Sequence, residues 1–336
     1  MLTPSDYKKR YENIDVRLQD GRPVTVKVNK YRLAGTNVNT TARSAFLAAL
    51  AKRGIDTPLR IDTDQGITRV DPRVTEHEDA LMKHRQDLML SGWLAPGRND
   101  LVLGVAGMHR DVRPLGVRRA EREWNSRMNT RVTNWNMLAR LVFVGKGSPE
   151  ACQAVLQLAN YWGLAPDVQG YADSALGLDC NGFVGNYLWH AKNGNPWTNL
   201  GAGDHDLGPD SPIRTGYYDH YQVHLLDRWE SLETTKMYIM MEVGKDGEVI
   251  NGGTAAAPGH LVITEPNQRD DRPGKDPKKS FAVKSVEATG GHTPEGLWES
   301  WYTCPSYDSK SKIFSIFRES MDAGHKEMDV KIAAVS

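Results

Sequence analysis

The sequence has few of the features that mark disulfide-rich, membrane or nucleic-acid-binding proteins. It contains only three cysteines in 336 residues, Cys152, Cys180 and Cys304. This odd and sparse count does not make a disulfide framework. Lysine plus arginine and aspartate plus glutamate both number 42, so the formal net charge is zero. A balanced charge argues against a general nucleic-acid or membrane-surface binder, and no apolar run approaches the length needed to span a bilayer.

The N-terminal residues also lack the apolar core of a signal peptide. We therefore expect a protein that is cytoplasmic as synthesised, with delivery outside the cell by lysis or by a specialised secretion route. Phenylalanine is scarce, at six residues against nine tryptophans and twelve tyrosines. Tryptophan and tyrosine combine apolar faces with hydrogen-bonding tips, so this balance suits a polar ligand cleft as well as an ordinary core.

A clear boundary separates two regions of the chain. Residues 145–150 read Gly-Lys-Gly-Ser-Pro-Glu, where Ser148 is a helix N-cap and Pro149 occupies the first helical position. We assign residues 1–145 to an N-terminal α/β region with a targeting, regulatory or substrate-binding role, which includes the possibility of a protein partner. Residues 146–336 form the second domain. Its helix from Ser148 is followed by a loop over residues 171–180, a second helix, and a run of strands, which is the order of an α+β domain.

The most distinctive segment is Asp179-Cys180-Asn181-Gly182-Phe183-Val184. Asp179 is a good N-cap residue, and the apolar residues that follow are spaced four apart, as on the buried side of a helix. This places the Cys180 sulfur at a helix N-terminus, where unpaired backbone N–H groups and the helix dipole favour an anion. A thiolate in that position is a nucleophile. The competing interpretation is a buried structural cysteine.

This segment resembles the Asp-Cys-Ser-Gly-Phe-Val signature of NlpC-type cysteine peptidases and amidases, with Asn181 in place of serine. The resemblance covers roughly residues 148–336. It implies a papain-like domain, in which the cysteine opens a helix packed on a small antiparallel sheet. It also implies an enzyme that cuts peptide bonds of bacterial peptidoglycan. A histidine on a following strand is then the base, and a polar residue on the next strand orients it.

Two histidines are candidates for the base. His260 follows Pro258-Gly259 and precedes the apolar run Leu261-Val262-Ile263, and it resembles the family's Gly-His-Val-x-Ile-Val block. The same stretch also resembles the family's Pro-Gly-Asp-Leu-Val block, which comes before the histidine strand. In that case the base is His292, in the glycine-rich sequence Gly290-Gly291-His292. A local capping role for His260 is the non-catalytic alternative.

Glu287 is the candidate orienting residue. Residues 281–288 alternate with period two, which puts Glu287 on the same face as Phe281 and Val283. A glutamate on an apolar face is costly to bury unpaired, and an imidazole partner would offset that cost. An ordinary rim glutamate is the alternative.

Three residues are assigned to substrate and oxyanion binding: Tyr171, Asp179 and Asn181. In the family a tyrosine upstream of the cysteine reaches into the site, and Tyr171 matches it loosely. Its hydroxyl would join the Cys180 backbone N–H as an oxyanion donor. A core tyrosine is the alternative.

No cofactor or metal is expected. His220 and His224 share a helical face, but no glutamate follows His220, so the zinc-protease motif fails at its general base. The predicted partner is a peptidoglycan peptide or another amide substrate, with no nucleic acid and no membrane span. Two other hypotheses stand beside the peptidoglycan hydrolase. One is the same fold acting on another amide, ester or thioester, as in a deamidase, transferase or toxin. The other is a non-enzymatic interaction protein with an inactive papain-like fold.

Overall fold

A computed structural model describes residues 2–18, 20–33, 36–52, 135–193, 213–252, 259–271, 281–319 and 327–335. The helices of eight or more residues are α1 (Pro4–Glu12), α2 (Thr40–Lys52), α3 (Trp135–Phe143), α4 (Pro149–Tyr161), α5 (Val168–Ala175) and α6 (Cys180–Asn193). Shorter helical turns follow at Ile213–Tyr218, Asp219–Tyr221, Gln222–His224 and Trp229–Ser231. Within these residues, no helix is long and apolar enough to cross a membrane.

Six antiparallel strands close into a barrel in sequence order. They are β3 (Met237–Glu242), β4 (Leu261–Asp271), β5 (Phe281–Thr289), β6 (Gly296–Asp308), β7 (Ile313–Arg318) and β8 (Glu327–Val335). Pairing of β3 with β8, with Met240 opposite Ile332, closes the ring. A separate hairpin pairs β1 (Ile14–Arg17) with β2 (Pro23–Val26).

Alternate residues of the barrel strands belong to two different cores, because successive side chains of a strand point to opposite faces. Met240, Val262 and Ile332 line the interior with other strand side chains. Their neighbours Ile239, Ile263 and Ala333 pack outward against the helices. Both faces of β5 are therefore covered, and all its residues except Lys284 are buried.

The N-terminal helix shares the core of the helical layer. Tyr7 of α1 packs against Phe183 and Tyr187 of α6, with ring centroids 6.0 and 5.7 Å apart. The Tyr11 hydroxyl donates a hydrogen bond to the Gly147 carbonyl oxygen at 3.0 Å. Hydrophobic packing is thus continuous across residue 145, where the sequence predicts a domain boundary.

The predicted helix at Ser148 is confirmed, and the Ser148 hydroxyl accepts a hydrogen bond from the Ala151 N–H at 3.2 Å. The predicted loop over residues 171–180 is wrong in part, because α5 extends to Ala175. Strand β6 was not predicted. Residues 53–134 of the predicted N-terminal region, and residues 194–212 of the second domain, lie outside the described residues.

Candidate active site

Cys180 is the first residue of α6, and its side chain is buried. The preceding residue, Asp179, fixes the helix start in two ways. Its backbone N–H donates to the Gly145 carbonyl oxygen at 3.1 Å. Its carboxylate oxygen Oδ1 accepts from the Gly182 N–H at 2.5 Å, which satisfies one of the first-turn donors that a helix leaves unpaired.

The Asp179 carboxylate is buried beside a lysine. Lys146 Nζ lies 2.6 Å from Asp179 Oδ2, and the two side chains are 13% and 3% exposed. Burial raises the pKa of Asp179, while the Lys146 charge and hydrogen bond act to lower it. Asp179 was assigned to substrate binding, and the structure shows its carboxylate already engaged by Lys146 and Gly182.

Two glycines allow the helix start to touch neighbouring backbone. A Cβ atom on Gly182 would lie 1.8 Å from the Gly145 carbonyl oxygen. Gly145 itself has a φ of +82°, which favours glycine, and a Cβ there would lie 2.4 Å from the Arg32 carbonyl oxygen. Contact between these backbones sets the position of Cys180.

A segment from the N-terminal region passes directly beside the cysteine. The Leu178 N–H donates to the Lys30 carbonyl oxygen at 2.8 Å, and the Arg32 N–H donates to the Leu178 carbonyl oxygen at 2.9 Å. These bonds bring the intervening residue, Tyr31, next to the active-site loop. Burial raises the pKa of Tyr31, and the negative charges of Cys180 and Asp179 raise it further.

His260 immediately precedes β4 and follows Gly259, whose carbonyl oxygen accepts a hydrogen bond from the Cys180 thiol at 3.9 Å. The imidazole is therefore near the sulfur, and the two groups interact electrostatically. Its Nε2 atom lies 2.6 Å from Glu287 Oε2. Since Nε2 is engaged by Glu287, Nδ1 is the ring nitrogen left to face the thiol. Burial lowers the pKa of His260, but its interactions with Cys180 and its hydrogen bond with Glu287 outweigh burial and raise the pKa to about 10.

Glu287 lies on the interior face of β5 and is fully buried. Its Oε2 accepts hydrogen bonds from His260 and from Arg318 Nη2, the latter at 2.7 Å. Its Oε1 accepts from the Tyr302 hydroxyl at 2.9 Å. Burial raises the pKa of Glu287, yet the hydrogen bond and charge of His260 and the charge of Arg318 bring it down to about 2.

The alternative base, His292, lies near the same carboxylate but in a different position. It is buried, its ring packs on Trp298 with centroids 4.6 Å apart, and its Nε2 lies 3.3 Å from Ser300 Oγ. The distance from Nε2 to Glu287 Oε1 is 4.0 Å. Of the two candidate histidines, His260 is the one that adjoins Gly259, the hydrogen-bond partner of the Cys180 thiol, and that interacts electrostatically with Cys180.

The remaining assigned residues lie elsewhere. Asn181 is buried in the first turn of α6. Tyr171 lies in α5, edge-on to Phe143 with ring centroids 6.5 Å apart. Among the described residues its hydroxyl has no hydrogen-bond partner, and burial raises its pKa. The structure places Tyr31 against Leu178, two residues before Cys180, and leaves Tyr171 in the helical core.

Sequence reasoning missed Tyr31, Tyr302 and Arg318. Tyr31 follows Val24, Val26 and Val28 in the sequence but is out of phase with their period-two alternation, and nothing in this stretch indicates which distant loop the residue meets. Arg318 ends β7 and pairs with Tyr302 of β6. Period two puts Arg318 on the same strand face as Phe314 and Ile316, but that alternation does not indicate which carboxylate it meets.

The described residues contain no cluster of three or more histidine, cysteine, aspartate or glutamate side chains suited to a metal ion. Comparisons with models of protein families, with curated proteins and with solved structures found no match to this chain. The papain-like, NlpC-type assignment therefore stays a prediction from the Cys180 segment. The chemistry rests on the geometry of the site.

Proposed function

We propose that this protein is a cysteine-nucleophile amide hydrolase whose catalytic residues are Cys180, His260 and Glu287. The observation that carries the proposal is the hydrogen bond between His260 and the buried Glu287 carboxylate, on a histidine that follows Gly259, whose carbonyl oxygen lies 3.9 Å from the Cys180 sulfur. A nucleophile hydrogen-bonded to a base that is oriented by a third group is the arrangement used in covalent acyl transfer.

The first half of the reaction forms a thioester. The Cys180 thiolate attacks the carbonyl carbon of the amide, and the charge that develops on oxygen faces the N-terminus of α6. The Cys180 backbone N–H stabilises that charge, and the Tyr31 hydroxyl is the second donor. The protonated His260 then gives its Nδ1 proton to the leaving nitrogen as the C–N bond breaks, which leaves the acyl group on sulfur.

The second half releases the acyl group. His260, now neutral, takes a proton from water, and the oxygen of that water attacks the thioester carbonyl. The C–S bond breaks, the acid product leaves, and Cys180 returns as thiolate beside the imidazolium. Glu287 accepts from Nε2 throughout, so the ring keeps Nδ1 directed at the sulfur.

The substrate we propose is the peptide stem or cross-link of peptidoglycan, on the basis of the Asp-Cys-Asn-Gly-Phe-Val segment. The test is incubation with muropeptides and, separately, with a glutamine-containing protein, followed by detection of new amino groups and of ammonia. Muropeptide cleavage that is lost in Cys180→Ala and kept in Cys304→Ala supports the proposal. Ammonia release from protein glutamine alone would indicate a deamidase. No Cys180-dependent product from either substrate would favour a non-enzymatic protein.

A further inference from the structure

Arg318 is a buried arginine that is hydrogen-bonded to Glu287 and lies beside His260. Its side chain is 4% exposed. Nη2 lies 2.7 Å from Glu287 Oε2 and 3.5 Å from His260 Nε2, and Nε donates to the Tyr302 hydroxyl at 2.8 Å. Arginine has only donors and a carboxylate only acceptors. Tyr302 must therefore accept from Arg318 and donate to Glu287, which closes a ring of hydrogen bonds.

This ring leaves the Glu287 carboxylate little freedom. Oε1 accepts from Tyr302, and Oε2 accepts from both Arg318 and His260. Tyr302 of β6 and Arg318 of β7 thus hold the carboxylate against the His260 imidazole, which immediately precedes β4. A side chain fixed from two directions presents its oxygen to Nε2 in one orientation, and that orientation determines where Nδ1 points.

Arg318 also changes the charge balance. The reactive form contains a thiolate on Cys180, an imidazolium on His260 and a carboxylate on Glu287, which together carry one net negative charge. Isolated charge is costly in a buried site. The guanidinium of Arg318 brings the sum of the four groups to zero.

We propose that Arg318 is a positioning residue that holds Glu287 against His260 and balances the charge of the thiolate–imidazolium pair. This inference rests on the proposed function, since it assumes that Cys180 reacts as a thiolate. Several ionisable groups surround His260 and Cys180. Four come from the helix and strands packed there: Cys180 of α6, Glu287 of β5, Tyr302 of β6 and Arg318 of β7. The others are His292, near Glu287; Tyr31, near Cys180; and Glu242, whose backbone N–H donates to the His260 carbonyl oxygen.

The test is the rate of Cys180 alkylation by iodoacetamide across pH, which needs no substrate. Without the guanidinium, forming the thiolate leaves a net negative charge, so Arg318→Met should move the midpoint of the rise in rate to higher pH. The midpoint reports the coupled thiol and imidazole, and Arg318 Nη2 lies 3.5 Å from His260 Nε2. A charge within about 4–6 Å displaces a titration by roughly one to three units, and we expect the midpoint to move by at least about one unit.

Tyr302→Phe is the matched control, because it breaks the same ring without removing a charge. Its midpoint should stay within about 0.3 units of the wild type, since a change of one pKa unit requires more than 1 kcal/mol of differential interaction. Equal displacement in Tyr302→Phe and Arg318→Met would overturn the proposal, as would an unchanged midpoint in Arg318→Met.

Arg318→Lys keeps the charge and decides the question if Arg318→Met does not fold. A midpoint near that of the wild type supports the proposal, and one displaced upward as expected for Arg318→Met contradicts it. The result is separable from the proposed function. Selective Cys180 alkylation with the expected displacement, but no amide cleavage, would contradict the hydrolase and uphold the role of Arg318. Amide cleavage with an unchanged alkylation midpoint in Arg318→Met would support the hydrolase and contradict the role of Arg318.

Discussion

Glu287 Oε2 lies 2.6 Å from His260 Nε2, and the carboxylate that makes this contact is fully buried. The two residues depend on one another. The imidazolium stabilises a carboxylate that would be costly to bury alone, and the carboxylate stabilises the imidazolium. The same contact orients the ring toward Cys180.

Replacing Glu287 with glutamine should both inactivate and destabilise the protein. Glutamine keeps the shape but removes the charge, which leaves Arg318 buried without its counterion. Removing one partner of a buried ion pair typically costs about 3–5 kcal/mol. We expect a loss of that order in the free energy of unfolding, measured in urea near pH 5.5, and a fall in turnover of at least about 100-fold.

The pH dependence of that loss follows from the two displaced pKa values. The pKa of Glu287 falls from 4.5 to about 2, so its contribution to stability is present above pH 4.5 and is lost as the pH falls toward 2. The pKa of His260 rises from 6.5 to about 10, so its contribution is present below pH 6.5 and is lost as the pH rises toward 10. The stability difference between wild type and Glu287→Gln should be largest between pH 4.5 and 6.5. A difference that does not vary with pH would contradict this pairing.

His260 and His292 can be separated by substitution. His260→Ala removes the proposed base, and general acid–base catalysis contributes about 10²–10⁴ in rate, so turnover should fall by that amount. His292→Gln removes a buried ring packed on Trp298. It should lower the melting temperature but leave turnover per folded molecule within about threefold, because turnover depends on the base rather than on global stability. The reverse pattern would make His292 the base.

Tyr31 and Tyr171 form a matched pair of tyrosine-to-phenylalanine variants. Loss of one oxyanion donor typically costs about 10²–10³ in kcat, and Tyr31→Phe should lose turnover on that scale without unfolding. Tyr171→Phe removes a hydroxyl that has no partner among the described residues. It should leave turnover unchanged and keep or raise the melting temperature. An effect on turnover confined to Tyr171→Phe would restore the assignment made from the sequence.

The Lys146–Asp179 pair should show strong coupling in a double-mutant cycle. Lys146→Met and Asp179→Asn each break a contact of 2.6 Å between side chains that are mostly buried. Asparagine keeps an oxygen that can accept from the Gly182 N–H, so the cycle isolates the charge interaction. In urea unfolding, the loss in unfolding free energy of the double variant should be smaller than the sum of the two single losses, by about 1–3 kcal/mol. Additive losses would mean that the pair does not anchor the helix.

The parts of the site that the sequence predicted are those with a local signal. Asp179 and Cys180 lie at a helix start that capping and apolar spacing indicate. The period-two alternation of β5 puts Glu287 on the same face as Phe281 and Val283. The helix start and the strand face both depend only on neighbouring residues, so they can be predicted from a single sequence.

The remaining parts depend on closure of the barrel. Arg318 reaches Glu287 because Tyr302 of β6 pairs with Arg318 of β7 while Val283 of β5 pairs with Tyr302. Such registers join segments that are distant in the sequence, and the residue pattern within one strand does not indicate which residues of the next strand it pairs with. Strand β6 was missed for a related reason. It contains Pro305, which argues against a strand, and the structure accommodates it where the β6–β7 register shifts between Thr303 and Ser306.

Competitive alkylation of the three cysteines near pH 6, followed by peptide mass spectrometry, tests the nucleophile most directly. Cys152 and Cys304 are as buried as Cys180, and burial raises the pKa of Cys304 to about 12. If Cys180 is held as a thiolate by His260, it should react at least about tenfold faster than either control, and His260→Ala should abolish that advantage. Equal labelling of all three cysteines, or a preference for Cys180 that survives His260→Ala, would contradict the proposed catalytic chain.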